Sequence, residues 1–169
     1  MPAKKAPAQA APEPFTIADS LIGAFALNNR INEYLVHAVP DEAWNAKPPE
    51  GKGRTAAAIF AHIHNVRGMW LKVCGKDGGV PAKLDRLDCT KEDVVRALDE
   101  SHRALETILR DSLESSGRIR GFKPDAAAFF GYLIAHDAHH RGQIAMLVRQ
   151  LGHPISQSAM MGMWEWGKR

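Results

Sequence analysis

Apolar residues recur at helical spacing in four long segments of the chain, and no segment shows the alternation typical of a strand. The first and third segments begin at Thr16 and Thr90, each with an acidic residue three positions later, as in a capping box. Pro40 ends the first segment, and Gly152 follows the fourth at the position where helices commonly stop. The predicted helices span about residues 16–38, 55–74, 90–115 and 124–151.

Four long helices without strands predict an all-α fold, and specifically a four-helix bundle. The first 14 residues, MPAKKAPAQAAPEP, are rich in proline and alanine and contain no apolar stretch, so we expect a disordered tail there. Residues 15–169 are expected to form one domain. Its C-terminal extension, SQSAMMGMWEWGKR, is expected to pack outside the bundle or against another subunit.

The composition and charge of the chain argue against a nucleic-acid-binding protein and against a membrane-spanning protein. A net charge of +3, with two positive charges in the predicted tail, does not provide the basic patch that nucleic-acid binding requires. No run of 18 apolar residues occurs, so we expect no membrane span. Cys74 and Cys89 lie outside any CxxC pair and no secretory leader precedes them, so we expect two reduced thiols and a cytoplasmic location.

Helical geometry places several histidines on predicted core faces, because successive residues turn by about 100°. His136 and His140 share the apolar stripe of the fourth helix, and His139 falls at its edge. In the second helix His62 lies on the apolar stripe, whereas His64 points to the opposite side. The sequence therefore predicts that three of these histidines, from two helices, face the core.

Other polar residues are expected near them. Asn29 and Asn32 fall on the apolar face of the first helix, and His102 joins the stripe of the third. Arg141 points away from the stripe, where we expect a surface salt bridge. Each unpaired polar group in a core would cost about 1–3 kcal/mol, so this much polarity requires a partner.

A metal ion bound by His62, His136 and His140 would provide that partner, since two histidines one turn apart and one from a facing helix can converge on it. Three imidazoles leave a position open for water or substrate, as catalytic sites do, and they suit Zn, Ni or Fe. The alternative is that the histidines are simply hydrogen-bonded in the core. Residues expected to support the ligands are Asn29, Asn32, His102, Asp137, His139 and Gln143.

Three stretches resemble the DinB/YfiT-like family of metal-dependent proteins. HDAHHRGQIAMLVRQLG is similar to the family's C-terminal signature, H-x-x-x-H-R-G-Q-I followed by an apolar helix and glycine. RTAAAIFAHIHNVRGMWL resembles the second-helix motif, and AFALNNRINEYL resembles the first helix less specifically. The resemblance covers about residues 15–153.

The resemblance implies a bundle of up-down-down-up order, a divalent metal on His62, His136 and His140, and a homodimer. Some relatives are transferases or isomerases that use low-molecular-weight thiols such as mycothiol or bacillithiol. We therefore expect a metal-dependent enzyme that activates a thiol or water for a small-molecule substrate, with catalytic residues not identified beyond a general base such as His102 or Asp137. A regulatory or stress module that binds metal or a small ligand without turnover is the alternative. Loops 39–54 and 75–89 should border the site, but they carry no signature that names the substrate.

Overall fold

The computed structural model describes residues 14–75 and 79–169, and this part of the chain contains helices and no strand. The predicted all-α fold class is therefore confirmed. All but the last residue of the predicted disordered tail lies outside the described residues. The helices are α1 (Ile17–Ala38), α2 (Asp41–Trp44), α3 (Ala56–Val73), α4 (Lys91–Leu113), α5 (Ala126–Gln150) and α6 (Gln157–Gly162), followed by a 3-10 turn at Trp166–Lys168.

Side-chain caps determine where the four long helices begin. The side chains of Thr16, Thr55 and Asp125 each accept a hydrogen bond from the backbone N–H three residues later. At the start of α4, Thr90 and Asp93 bond to each other's backbone N–H groups, which is the complete capping box that T-K-E-D predicts. Because capping is a local interaction, the sequence placed these four helix starts correctly.

The two short helices were not predicted, because neither is long enough to show a 3.6-residue period. In α2, Trp44 is buried, its ring stacks on Phe60 with centroids 5.5 Å apart, and its indole N–H donates to the carbonyl of Cys89. The C-terminal extension forms α6 and the 3-10 turn. It ends with the guanidinium of Arg169 3.8 Å from the ring centroid of Tyr34 in α1, so the extension packs on the outside of the helices.

The long helices enclose two apolar clusters, because α1 and α3 each pack against both α4 and α5. One cluster contains Phe60 and Ile144, and the other contains Phe25 and Leu105. On every long helix the residues that separate the two clusters are polar and buried, and we call them the polar layer. Its members are Asn28, Asn29 and Asn32 on α1, His64 and Arg67 on α3, Ser101 and His102 on α4, and Asp137 and His140 on α5.

An ion pair lies at the centre of the polar layer. Arg67 and Asp137 are each 1% exposed, and Arg67 Nη2 donates to Asp137 Oδ2 at 2.7 Å. The same oxygen accepts hydrogen bonds from the side-chain amides of Asn28 and Asn32, at 2.7 and 2.9 Å. Burial by itself would raise the pKa of Asp137, but the charge of Arg67 and these hydrogen bonds hold it well below its usual range. The carboxylate is therefore ionised and held in place.

The polar layer connects all four long helices. Arg67 on α3 also donates through Nη1 to Asn29 Oδ1 on α1 and to the Leu98 carbonyl on α4. Arg141 on α5 donates to the amide oxygens of Asn28 and Asn32 at 2.8 and 2.6 Å. The expectation of a surface salt bridge for Arg141 was therefore wrong. The buried face of α5 is rotated toward α1 relative to the apolar stripe, since polar partners on α1 bring Asp137 and Arg141 inward.

The predicted orientation of α3 was also wrong in one respect. His64 does not point outward but is 1% exposed, with its ring nitrogens 2.8 Å from the carbonyl oxygens of Ala97 and Ala82. Val73, which helical spacing places on the same stripe as His62, is 40% exposed. Apolar residues surround most of α3, which packs against α4 on one side and α5 on another, so no single stripe defines its buried face.

None of the described helices is both long and apolar enough to cross a membrane.

We predict that the central ion pair is strongly coupled. Asp137→Asn should lower the free energy of unfolding by about 3–5 kcal/mol, because it leaves the buried Arg67 charge uncompensated. The double variant Arg67→Met/Asp137→Asn should lose less than the sum of the two single losses. Urea unfolding followed by circular dichroism, with EDTA present, measures these differences.

The exposed pair between Arg103 and Asp99, also 2.8 Å apart, provides the matched control. Asp99→Asn should change stability by no more than about 1 kcal/mol, because solvent screens that pair. An Asp137→Asn loss as small as that of Asp99→Asn, or additive losses in the double variant, would contradict the coupling.

Candidate metal centre

Three histidines converge where α3 faces α5. His136 and His140 lie one turn apart on α5, and His62 lies opposite them on α3. One nitrogen of each ring lies within 4.8 Å of the others. His140 is buried and the other two rings are half-buried, so the cluster lies at the edge of the polar layer. The structure thus brings together the three residues that the sequence singled out as metal ligands.

Neighbouring groups determine which nitrogens face one another. His140 Nδ1 lies 2.7 Å from the amide oxygen of Gln143, which can only accept, so Nδ1 carries the hydrogen and Nε2 keeps its lone pair. His136 Nδ1 faces Asp137 Oδ1 at 3.8 Å, and no described residue hydrogen-bonds to that carboxylate oxygen. The two Nε2 atoms then face each other at 3.2 Å. If His136 likewise carries its hydrogen on Nδ1, two lone pairs face each other at that distance and require a cation between them.

A transition-metal ion fits this arrangement. Two imidazole nitrogens bound tetrahedrally to Zn at 2.0–2.1 Å would lie about 3.3 Å apart, close to the separation of His136 and His140. His62 Nδ1 is buried without a hydrogen-bond partner among the described residues. Burial, together with the positive charge of Arg54, lowers the pKa of His62 to about 4, and burial also lowers the pKa of His140. These two rings are therefore neutral near pH 7, the form that binds metals.

The alternative, a hydrogen bond between His136 and His140 alone, satisfies fewer atoms. It would pair the two Nε2 atoms but leave the buried Nδ1 of His62 without a partner. Within residues 14–75 and 79–169, no fourth histidine, cysteine or acidic side chain joins the cluster. Three protein ligands with a position left open are characteristic of catalytic rather than structural metal sites.

Three of the expected supporting residues contact the cluster directly. Gln143 hydrogen-bonds to Nδ1 of His140, and Asp137 Oδ1 lies 3.8 Å from Nδ1 of His136. The ring of His139 lies 5.0 Å from that of His140, but His139 itself is exposed. Histidines that bind metals usually direct their second nitrogen to such an amide or carboxylate oxygen, which fixes the ring. Gln143 and Asp137 have that relation to the cluster.

The other expected supporting residues lie further from the cluster. Asn32 bonds to Asp137, so it acts on the histidines only through that carboxylate, and Asn29 bonds to Arg67 and Glu33 instead. His102 does not join the cluster.

The ring of His102 packs 4.7 Å from that of Phe25, its Nε2 lies 3.4 Å from Glu106, and burial lowers its pKa to about 4. The apolar stripe of a helix predicts that Asn29, Asn32 and His102 face inward, but it does not identify the residues that they contact. Because His102 does not join the cluster, its position supports neither a role as a fourth ligand nor a role as a general base.

Sequence reasoning missed two residues on which the site depends, Arg67 and Asn28. Arg67 lies within an apolar helix, where its sequence position identifies no partner, and Asn28 precedes the two asparagines that were predicted to face the core. Both bond to Asp137 Oδ2 and so hold the carboxylate that faces His136. The only signal available was a charged residue among apolar neighbours, which exposed arginines also show.

The DinB family model matches residues 15–166, and so it extends through the C-terminal α6 rather than ending near residue 153. Searches of curated proteins and of solved structures found no match. The family match spans nearly the whole described chain and includes all three histidines of the cluster. The chain belongs to the DinB family.

Proposed function

We propose that this protein is a metal-dependent enzyme in which His62, His136 and His140 hold a divalent transition metal such as Zn, Ni or Fe. The observation that carries the proposal is the facing pair of Nε2 atoms, 3.2 Å apart, with a ring nitrogen of His62 within 4.8 Å of the ligand atoms of that pair. A metal bound there would lower the pKa of a coordinated thiol or water and so supply a nucleophile at neutral pH.

Side chains of the protein hold the ligand histidines in place and determine which ring nitrogen carries the hydrogen. Gln143 keeps the proton of His140 on Nδ1, so that Nε2 remains available. Asp137 presents a carboxylate oxygen to the Nδ1 side of His136. Because Arg67 and two asparagines fix Asp137 and its pKa is held low, it serves to orient His136 rather than to accept protons as a general base.

The substrate in this proposal is a small molecule that reacts with a low-molecular-weight thiol, and the reaction is a thiol transfer or isomerisation. We further propose an up-down-down-up four-helix bundle, a homodimer and a cytoplasmic location. The packing of α1 and α3 against both α4 and α5 supports the bundle. Exposed Trp164 and Trp166 in the C-terminal extension support a subunit contact.

Metal analysis tests the ligand set. The wild-type protein should bind about one ion per chain, and His62→Ala, His136→Ala and His140→Ala should each bind little or none. Gln143→Ala should weaken metal binding by about 10–100-fold, because it frees the ring of His140. Elemental analysis after metal loading and removal of excess ion measures the content, and competition with a chelator measures the affinity.

His139→Ala is the matched control, since His139 adjoins His140 but is exposed. It should retain the metal. Equal metal content in the wild type and in all three ligand variants would show that the histidines are simply hydrogen-bonded in the core.

Turnover with a panel of thiols distinguishes an enzyme from a binding module. Metal-loaded protein should accelerate attack of at least one small thiol, among cysteine, glutathione, mycothiol and bacillithiol, on monobromobimane. Loss of the acceleration in His140→Ala, and on adding a chelator, would link it to the metal. If the metal-loaded protein accelerates neither this reaction nor hydrolysis of an activated ester, the regulatory or ligand-binding alternative is favoured.

A further inference from the structure

A cavity of about 570 Å³ lies directly beside the histidine cluster. One wall is a face of α3 that presents His62, Val66 and Met69, and the other wall is formed by residues 83–86 of the loop before α4. The volume is within the range typical of small-molecule sites. Because His62 lines the cavity, a molecule that occupies it lies next to the proposed metal.

Two arginines border this cavity and its neighbours. Arg86 lines the cavity beside His62, and together with Arg54 it lines a second cavity of about 340 Å³. Arg54 also lines a third cavity, of about 450 Å³, together with Gln143, the partner of His140. The two arginines therefore line adjoining cavities that extend from His62 to Gln143, the partner of His140.

Arg54 and Arg86 differ from Arg67 and Arg141 in having no side-chain partner among the described residues. Arg67 and Arg141 are held by Asp137 and by the amides of α1. In contrast, neither Arg54 nor Arg86 forms an ion pair or side-chain hydrogen bond with any residue in 14–75 or 79–169. Both remain free to bind an anion.

The metal does not account for these charges. A cation is repelled by nearby guanidinium groups, and a site built only to hold a divalent ion would gain from acidic neighbours. The carboxylate closest to the cluster, Asp137, is already neutralised by Arg67. The loop wall of the cavity carries one carboxylate, Asp85, and two cations, Lys83 and Arg86, so its net charge is positive and favours an anion over a second cation.

We propose that the small molecule processed at the histidine centre carries a carboxylate or phosphate group, which Arg86 and Arg54 bind beside the metal. This proposal rests on the proposed function, because it names the substrate class of the same site. A guanidinium presents a planar fork of N–H donors that matches both oxyanions. The anionic group is held at the arginines, and the reacting part of the molecule lies toward His62.

Calorimetric titration of the zinc-loaded protein, with excess metal removed, tests the proposal. The probes are succinate and inorganic phosphate, and uncharged succinamide is the control ligand. The wild type should bind at least one of the two anions and not succinamide. Arg54→Gln/Arg86→Gln should weaken that binding by about tenfold or more, since each charge-assisted contact is worth roughly a factor of ten. Arg118→Gln, which removes an exposed arginine that lines none of the three cavities, should bind the anion as the wild type does.

Metal content measured on the same samples separates this proposal from the proposed function. A double variant that keeps its zinc and loses the anion supports the proposal, and the anion bound more tightly shows whether a carboxylate or a phosphate is preferred. Wild-type affinity for the anion in the zinc-loaded double variant would overturn it, as would equal binding of succinamide or absence of anion binding to the zinc-loaded wild type. Failure of the wild type to bind zinc would instead overturn the proposed function.

Discussion

The buried ion pair between Arg67 and Asp137 is the interaction on which the rest of the structure depends. Two charges that are each 1% exposed are costly to remove from water unless their remaining hydrogen-bonding groups are satisfied. Asparagines on α1 and a backbone carbonyl on α4 meet much of that requirement. The pair therefore fixes how α3 and α5 sit relative to the other long helices, because a shift of any helix would remove a partner from a buried charge.

The histidine cluster is built on the outer side of this arrangement. Asp137 uses one carboxylate oxygen for Arg67 and the asparagines, and its other oxygen faces His136. Asp137 therefore takes part both in the ion pair that orients the helices and in the contact that orients His136, a proposed metal ligand. Two apolar clusters, one on each side of the polar layer, provide the hydrophobic burial that stabilises the fold. The polar layer can therefore serve the site without supplying most of the stability.

Burial separates the arginines near the site into two functional groups. Arg67 is buried and Arg141 is half-buried, and both are bonded to Asp137 or to α1 amides, so their charge holds the helices together. Arg54 and Arg86 are exposed beside the cavities that border the histidines, and no described residue pairs with them. The bonded arginines therefore stabilise the packing of the helices, whereas the exposed arginines are available to bind a ligand. We propose that the exposed arginines select an anionic substrate.

The sequence by itself determined the features that depend on local geometry. It indicated where the four long helices begin, and it indicated the pairing of His136 with His140, because both follow from residues a few positions apart on one helix. The stripe of α3 also predicted that His62 faces the core, but only the packing of α3 against α5 placed it opposite that pair. The sequence did not reveal the short helices, the burial of His64 or the partner of Asp137. Arg67 and Asp137 are 70 residues apart, and α3 is apolar around most of its surface. Only the packing of α3 between α4 and α5 decided which side of it became the polar layer, since contacts between distant helices select among faces that local periodicity leaves equivalent.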